Sequence, residues 1–349
     1  MGRTFKLTGL IVLGALLISL VGLAVHAGSW DNFKLRYGFL TQFLHNQNQE
    51  LSDLQDRSLD PAANTRIELA QLLNGGPPKD GIPSIDNPQF DSVAASPFPA
   101  EADALGLVIN DEAVAYPLGI LNWHEIVNDT VGGENVSVTY CPLCDTAIAF
   151  ARGSTTFGVS GKLFQSCLVM FDRTDNSLYA QPWGIGIVGA QVNQSLDRYP
   201  MVKTTLGAWA QQHPDTKVLG TNTGHERDYF RYPYGTYLTD ERVIFPVRYQ
   251  ADLASHPKAG VTYIWSTDSA APLNYFSGDS HQFIHEDLQT EGEQWVEFDG
   301  RRVRAYWDAD LATAIVTETD GQPIPSSPAF AFVYPAFFTA EPATQRPPN

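Results

Sequence analysis

The residues best equipped to do chemistry are Cys141 and Cys144, three positions apart in VSVTYCPLCDTAIAF, between two runs of strand character. A strand, a Cys-Pro-Leu-Cys turn and a second strand is the layout of a metal knuckle. The turn lets two sulfurs converge on one ion at about 2.3 Å from each, and Pro142 fixes its own φ and withdraws a competing amide. Two sulfurs do not complete a coordination shell. Cys167, in GKLFQSCLVMFDR, offers a third thiolate and Met170 a soft thioether, while His124, beside Glu125 in GILNWHEIVNDT, offers an imidazole. Such a set suits copper, zinc or iron, so one transition-metal ion is the expected cofactor.

The same cysteines admit two other readings. In thiol–disulfide exchange Cys141 attacks and Cys144 resolves, but that chemistry usually places the second cysteine in a helix whose N-terminal dipole lowers the first thiol's pKa, and TAIAFAR is strand-like. In the other reading a structural disulfide ties a turn in a non-catalytic domain that binds a ligand or a protein partner. Taken alone, Cys167 reads equally well as a buried thiol among Leu163, Phe164, Leu168 and Val169, and Met170 as core. The aromatic stretch TGHERDYFRYPYGTY adds a candidate cleft for a small ligand at His225, Tyr229, Tyr232 and Tyr234. No general base stands out beyond His124 and Glu125, which leaves catalysis open. There is no glycine-rich phosphate loop, and no nucleotide cofactor is expected.

Short apolar runs separated by turn signals position these residues. Leu105–Ile109, Ala113–Pro117, Val136–Tyr140, Thr146–Phe150, Thr156–Ser160, Leu168–Phe171 and Gly186–Val188 read as strands. A helix is expected where Thr205 caps LGAWAQQ ahead of Pro214. The fold class is therefore mainly β with a few helices, α+β. VSVTYCPLCDTAIAF is echoed by VRAYWDADLATAIV, and LGLVINDEAVAYPLGIL by VTYIWSTDSAAPLNYF. The echo points to two related β halves, at 105–200 and 240–335, with chance similarity of alternating strands as the alternative. Trp307, Asp308 and Asp310 then stand where the first half has its cysteine turn.

Positive charges at Arg3 and Lys6 precede an apolar run from Leu7 to Val25. At about 1.5 Å per residue this run covers the ~30 Å of a hydrocarbon core. Residues 1–28 are thus a signal anchor or a cleavable signal peptide, with the membrane as partner. The preceding charges send the remainder outside the cytoplasm, anchored or secreted. Residues 29–73 form a stalk with helical apolar spacing, 74–104 an irregular lead-in rich in Pro and Gly, 105–335 the main domain, and 336–349 a polar, Pro-rich disordered tail. With 43% apolar and 17% charged residues the 349-residue chain can bury a large core. Its net charge of −17 argues against nucleic acid as a partner. Three cysteines are too few for a disulfide scaffold and leave one thiol over.

The runs AYPLGILNWHEIVNDTVGG, VSVTYCPLCDTAIAF, FGVSGKLFQSCLVMFDR, SLYAQPWG, WAQQHPDTKVL, TGHERDYFRYPYGTY and VIFPVR closely resemble the DUF3179 family, over about residues 80–250. The resemblance implies an exported, mostly bacterial protein and no particular activity. The family pattern usually has Gly where Asp145 stands, and an acidic or amide residue more often than Cys at position 167. This shifts weight toward Cys141, Cys144 and His124.

Overall fold

The computed structural model describes residues 64–247, 256–267 and 276–338. The signal segment and the stalk up to residue 63 lie outside these residues. In chain order the strands are β1 (Leu72–Asn74), β2 (Phe90–Ser92), β3 (Asp103–Ile109), β4 (Glu112–Pro117), β5 (Ile126–Val131), β6 (Glu134–Cys141), β7 (Thr146–Ala151), β8 (Phe157–Phe164), β9 (Cys167–Asp172), β10 (Leu178–Ala180), β11 (Ile185–Val188), β12 (Arg198–Tyr199), β13 (Met201–Thr205), β14 (Lys217–Leu219), β15 (Gly260–Trp265), β16 (Ser280–Ile284), β17 (Glu293–Phe298), β18 (Arg301–Asp308), β19 (Thr313–Glu318) and β20 (Ser327–Phe330). Four short helices join them: α1 (Leu118–His124), α2 (Leu206–Gln212), α3 (His285–Glu291) and α4 (Val333–Phe338). The chain is mainly β, with α+β character.

Sheet β12-β7-β6-β5 is the middle layer of the first part, between sheet β1-β8-β9-β10-β11 and sheet β13-β3-β4-β14-β2. Its strands are buried on both faces, and the alternation of side chains assigns each residue to one of two cores. Val136, Val138 and Tyr140 of β6, with Ala147 and Ala149 of β7, join the core under β3 and β4. Cys141, Ile148 and Phe150 join the core under β8 and β9. A one-residue slip would exchange the two sets, so burial fixes the register that pairs Cys141 with Thr146.

The segments β15-β16-α3-β17-β18-β19 repeat the order of β3-β4-α1-β5-β6-β7. From the helix onward each element starts the same 167 positions later: Leu118 and His285, Ile126 and Glu293, Glu134 and Arg301, Thr146 and Thr313. Left-handed residues repeat too, Glu125 with Gly292, Gly132 and Gly133 with Asp299 and Gly300, and Asp145 with Ala312. This correspondence is narrower than the expected halves: β8 to β11 have no counterpart in it.

Two expected boundaries need correction. The stalk was expected to be helical to residue 73, but Leu69–Gln71 is a single 3-10 turn and Leu72 begins β1 on the edge of β8. Leu72 and Leu73 are both buried there, which an extended segment on a sheet edge achieves. The tail was expected from residue 336, yet Ala336, Phe337 and Phe338 are buried in α4. Phe337 packs edge-on against Trp183 and Phe164, and Trp183 Nε1 donates to its carbonyl at 3.0 Å. Residues beyond 338 lie outside the described residues. The helix expected after Thr205 is α2, and the Thr205 hydroxyl accepts from Ala208 N at 3.2 Å.

Candidate functional site: a buried row of three thiols

The cysteine turn closes a hairpin. Cys144 N and Asp145 N both donate to the Cys141 carbonyl, at 3.2 and 2.8 Å, and Asp145 takes φ +57 before β7 begins. Glycine suits that left-handed backbone best, and Asp is among the few other residues that tolerate it. Here the Asp145 carboxylate is held by Lys203 Nζ at 2.5 and 2.6 Å and by the Tyr140 hydroxyl at 2.9 Å. The turn is no exposed tip. Leu143 is 6% exposed, Tyr237 Oη donates to its carbonyl at 2.7 Å, and Phe330 N, from β20, donates to the Cys144 carbonyl at 2.9 Å.

Cys167 arrives from the next sheet. Gln165 and Ser166 both take positive φ, the requirement of a two-residue type I′ turn, and this tight turn from β8 puts Cys167 at the start of β9 opposite Phe164. All three cysteines are free thiols and fully buried. They share one core, and Cys144 is the neighbour whose electrostatics act on both Cys141 and Cys167. Leu168 N donates to Cys141 Sγ at 3.3 Å. The Cys144 thiol meets Thr146 Oγ1 at 3.1 Å, and Thr146 donates to Gln181 Oε1 at 2.6 Å, so the Cys144 proton points at the threonine oxygen. Gln181 Nε2 passes the chain to Thr139 Oγ1 at 3.1 Å, and Thr139 donates to the Ile148 carbonyl at 2.8 Å.

Burial holds the thiols protonated. It pushes Cys141 and Cys144 well above the usual thiol range and Cys167 up to about 11, and no cation figures among the groups acting on them. Among the described residues no group of three or more His, Cys, Asp or Glu is arranged as it stands to hold a metal ion.

The other expected ligands fall elsewhere. Met170 follows Cys167 by three positions on one strand and therefore projects from the opposite face, beside Val159 and Tyr179. The His124 ring is committed: Nδ1 lies 2.7 Å from the Pro83 carbonyl and Nε2 lies 2.8 Å from the Tyr229 hydroxyl. A carbonyl only accepts, so Nδ1 carries the proton and Nε2 accepts from Tyr229. Burial lowers His124 to about 4 and keeps it neutral. Glu125, at the left-handed end of α1, is the neighbour that acts on Cys141; burial raises its carboxyl to about 7, and Tyr234 Oη donates to it at 3.0 Å.

The hydroxyls of the aromatic loop turn inward. Tyr229 binds His124, Tyr234 binds Glu125, and Tyr232, its ring tilted against that of Tyr234 at 5.5 Å, keeps a buried hydroxyl with no partner. The loop joins the His124-Glu125 pair to the cysteine turn. Gly119 allows this approach, since a Cβ there would lie 2.5 Å from the Tyr229 carbonyl oxygen. Sequence reasoning missed Gln181, Tyr237 and Lys258, whose ammonium caps the Tyr237 and Asp240 carbonyls beneath the turn. Each acts across a long separation, so no local pattern marks it; SLYAQPWG held the one glutamine that mattered. An open surface groove lined by Phe90, Asp91, Ser92, Val93, Pro214, Asp215, Thr216 and Lys217 includes none of these residues.

A family model described as "Protein of unknown function (DUF3179)" matches residues 79–341. No curated protein and no solved structure matches the chain.

Proposed function

We propose, for a chain that belongs to the DUF3179 family, that it is an extracytoplasmic, membrane-anchored protein that binds one soft transition-metal ion through Cys141, Cys144 and Cys167. The observation that carries this reading is the unpaired thiol row: three reduced sulfurs from two sheets meet in a dry core, with Cys144 central. A thiol held protonated by burial gives up its proton most readily to a metal cation, because thiolate and ion neutralise each other there. Binding would require the three side chains to turn toward a common ion, since they are not so arranged as they stand. With His124 committed and Met170 on the far face, the set is three sulfurs, which favours monovalent copper over four-coordinate zinc, with iron as the third choice. Thr146 supports loading, since its hydroxyl can turn from Gln181 to a Cys144 thiolate.

Exchange with external disulfides is the second reading, favoured by one observation: Cys144 can pair with either neighbour. Against it stand the sealed position of the sulfurs and their raised pKa values. The run from Leu7 to Val25 supports the membrane location, which fractionation with and without carbonate extraction tests.

The metal reading is tested by anaerobic titration of the purified, reduced protein with Cu(I), Zn(II) and Fe(II) against competing chelators. About one ion per chain is expected, with affinity falling at least tenfold in both Cys144→Ser and Cys141→Ser. Loss of all three thiols to alkylating reagent at the same rate with and without metal would refute it.

A further inference from the structure

We propose that Arg227 and His225, held in place by Thr223, Tyr229 and His124, form a binding site for a small oxyanion of the carboxylate or phosphate class. The scaffold is a directed chain of hydrogen bonds. The Pro83 carbonyl fixes the His124 tautomer, His124 Nε2 accepts from Tyr229, and the Tyr229 oxygen accepts from the Thr223 hydroxyl. The Thr223 oxygen in turn accepts from His225 N at 3.3 Å, which closes the loop on itself. Every donor in this chain is used within it, and its outcome is a rigid presentation of the two residues that follow Thr223. Gly119 and Tyr229 in close contact pin the loop to α1 from the other side.

Arg227 is the unsatisfied member. Its NH1 donates to the Glu226 carbonyl at 2.9 Å, but its Nε is buried with no hydrogen-bond partner. Arg173, Arg231, Arg242, Arg301 and Arg304 each meet a carboxylate. Arg152, Arg198 and Arg302 meet none among the described residues, but Arg152 spends its donors on three carbonyls and the other two lie over Trp265 and Trp295. Among the same residues Arg227 has neither a carboxylate nor a ring, and Asp228, beside it, is turned to Arg231 at 3.4 Å. A buried guanidinium N–H without an acceptor is costly, and a planar fork of donors matches two oxygens of one anion. The Arg227 charge acts on His124, His225 and Tyr229, so the guanidinium lies on the same side of the loop as these residues. His225 is exposed, its ring 5.4 Å from that of His124, so it stands at the open side. In a chain of net charge −17 an unneutralised cation with an orphaned donor marks a place for an anion from solution. The thiols take no part, so the site stands or falls independently of metal binding.

The test is calorimetric titration of the full chain with inorganic phosphate and, separately, with acetate, at constant ionic strength. Saturable uptake near one anion per chain is expected, and the tighter of the two probes sets the class. Arg227→Gln should weaken it at least tenfold, Arg227→Lys by an intermediate factor because charge remains but the fork is lost, and His225→Asn a few-fold. Arg302→Gln, on a distant strand face, should change nothing. Absence of saturable uptake of either probe overturns the site, as does wild-type affinity in Arg227→Gln. If that variant fails to melt cooperatively, unchanged affinity in both Arg227→Lys and His225→Asn overturns it instead.

Discussion

Meanders β5-β6-β7 and β17-β18-β19 share strand lengths, turn positions and left-handed residues, and differ in what lies over one face. In the first, Ser137, Thr139 and Cys141 point into the core beneath the five-stranded sheet and are at most 1% exposed. In the second, the same positions hold Arg304, Tyr306 and Asp308, partly open to solvent beside Trp295, which is 38% exposed. Arg302 lies over Trp295 and Arg304 over Tyr306, each at 4.6 Å, and Arg304 pairs with Glu293. The covered face carries small uncharged groups bonded to one another, and the open face carries charges. Cover, more than the hairpin, decides whether a turn holds thiols or carboxylates, because an ion without a partner cannot be buried at acceptable cost.

Exchanging one residue between the two turns tests this most severely. Cys141→Asp should cost about 4 kcal/mol or prevent folding, as expected of an unpaired buried charge, whereas Asp308→Cys, losing an Asx turn to Asp310 N and Leu311 N, should cost about 1 kcal/mol. Urea unfolding of both variants measures the difference; equal costs would break the comparison.

The next effect lies in pH. The first unit buries His124 and Glu125 where the second has exposed Glu291 and Gly292. Glu125 is raised to about 7 from 4.5, so its contribution to stability is complete below pH 4.5 and is lost as pH rises through 7. His124 is lowered to about 4 from 6.5, so its contribution is complete above pH 6.5 and is lost as pH falls through 4. The two slopes oppose each other between pH 4.5 and 6.5, each about 1.4 kcal/mol per pH unit at most. Stability of Glu125→Gln relative to wild type should rise with pH across that window and that of His124→Gln should fall. Parallel trends would show that the pair is not buried as described.

Gln181→Leu, which strands Thr139 and Thr146 beneath the covering sheet, should cost about 2 kcal/mol, and Arg304→Ala on the open face about 0.5 kcal/mol or less. Ala312 and Asp145 share the left-handed position. Ala312→Gly should therefore stabilise by about 0.5–1 kcal/mol, while Asp145→Gly, forfeiting Lys203 and Tyr140, should not; thermal melts decide.

Much of this was legible in the sequence. Alternation located β3, β4, β6, β7, β8, β9 and β11, most within one or two residues of their ends and β8 less closely, because a strand with one assigned face per residue shows it in composition. The pairing of VSVTYCPLCDTAIAF with VRAYWDADLATAIV falls in the structural register, since Val136 and Val303 are equivalent. The companion pairing does not extend this register: its APL segment, residues 271–273, lies outside the described residues. Cys141, Cys144 and Cys167 share one core; strand period places Met170 on the opposite face, and the backbone of Pro83 and the distant Tyr229 claim both nitrogens of His124. These partners stand 41 and 105 positions away, which no local window along the chain contains.

Phe330, near the end of the described chain, supplies the amide that closes the Cys144 carbonyl. During synthesis that strand, the last among the described residues, emerges long after both thiols of the hairpin. A nascent or truncated chain ending before β20 thus presents an unfinished turn to whatever oxidants or ions it meets, and only the completed polypeptide shuts it.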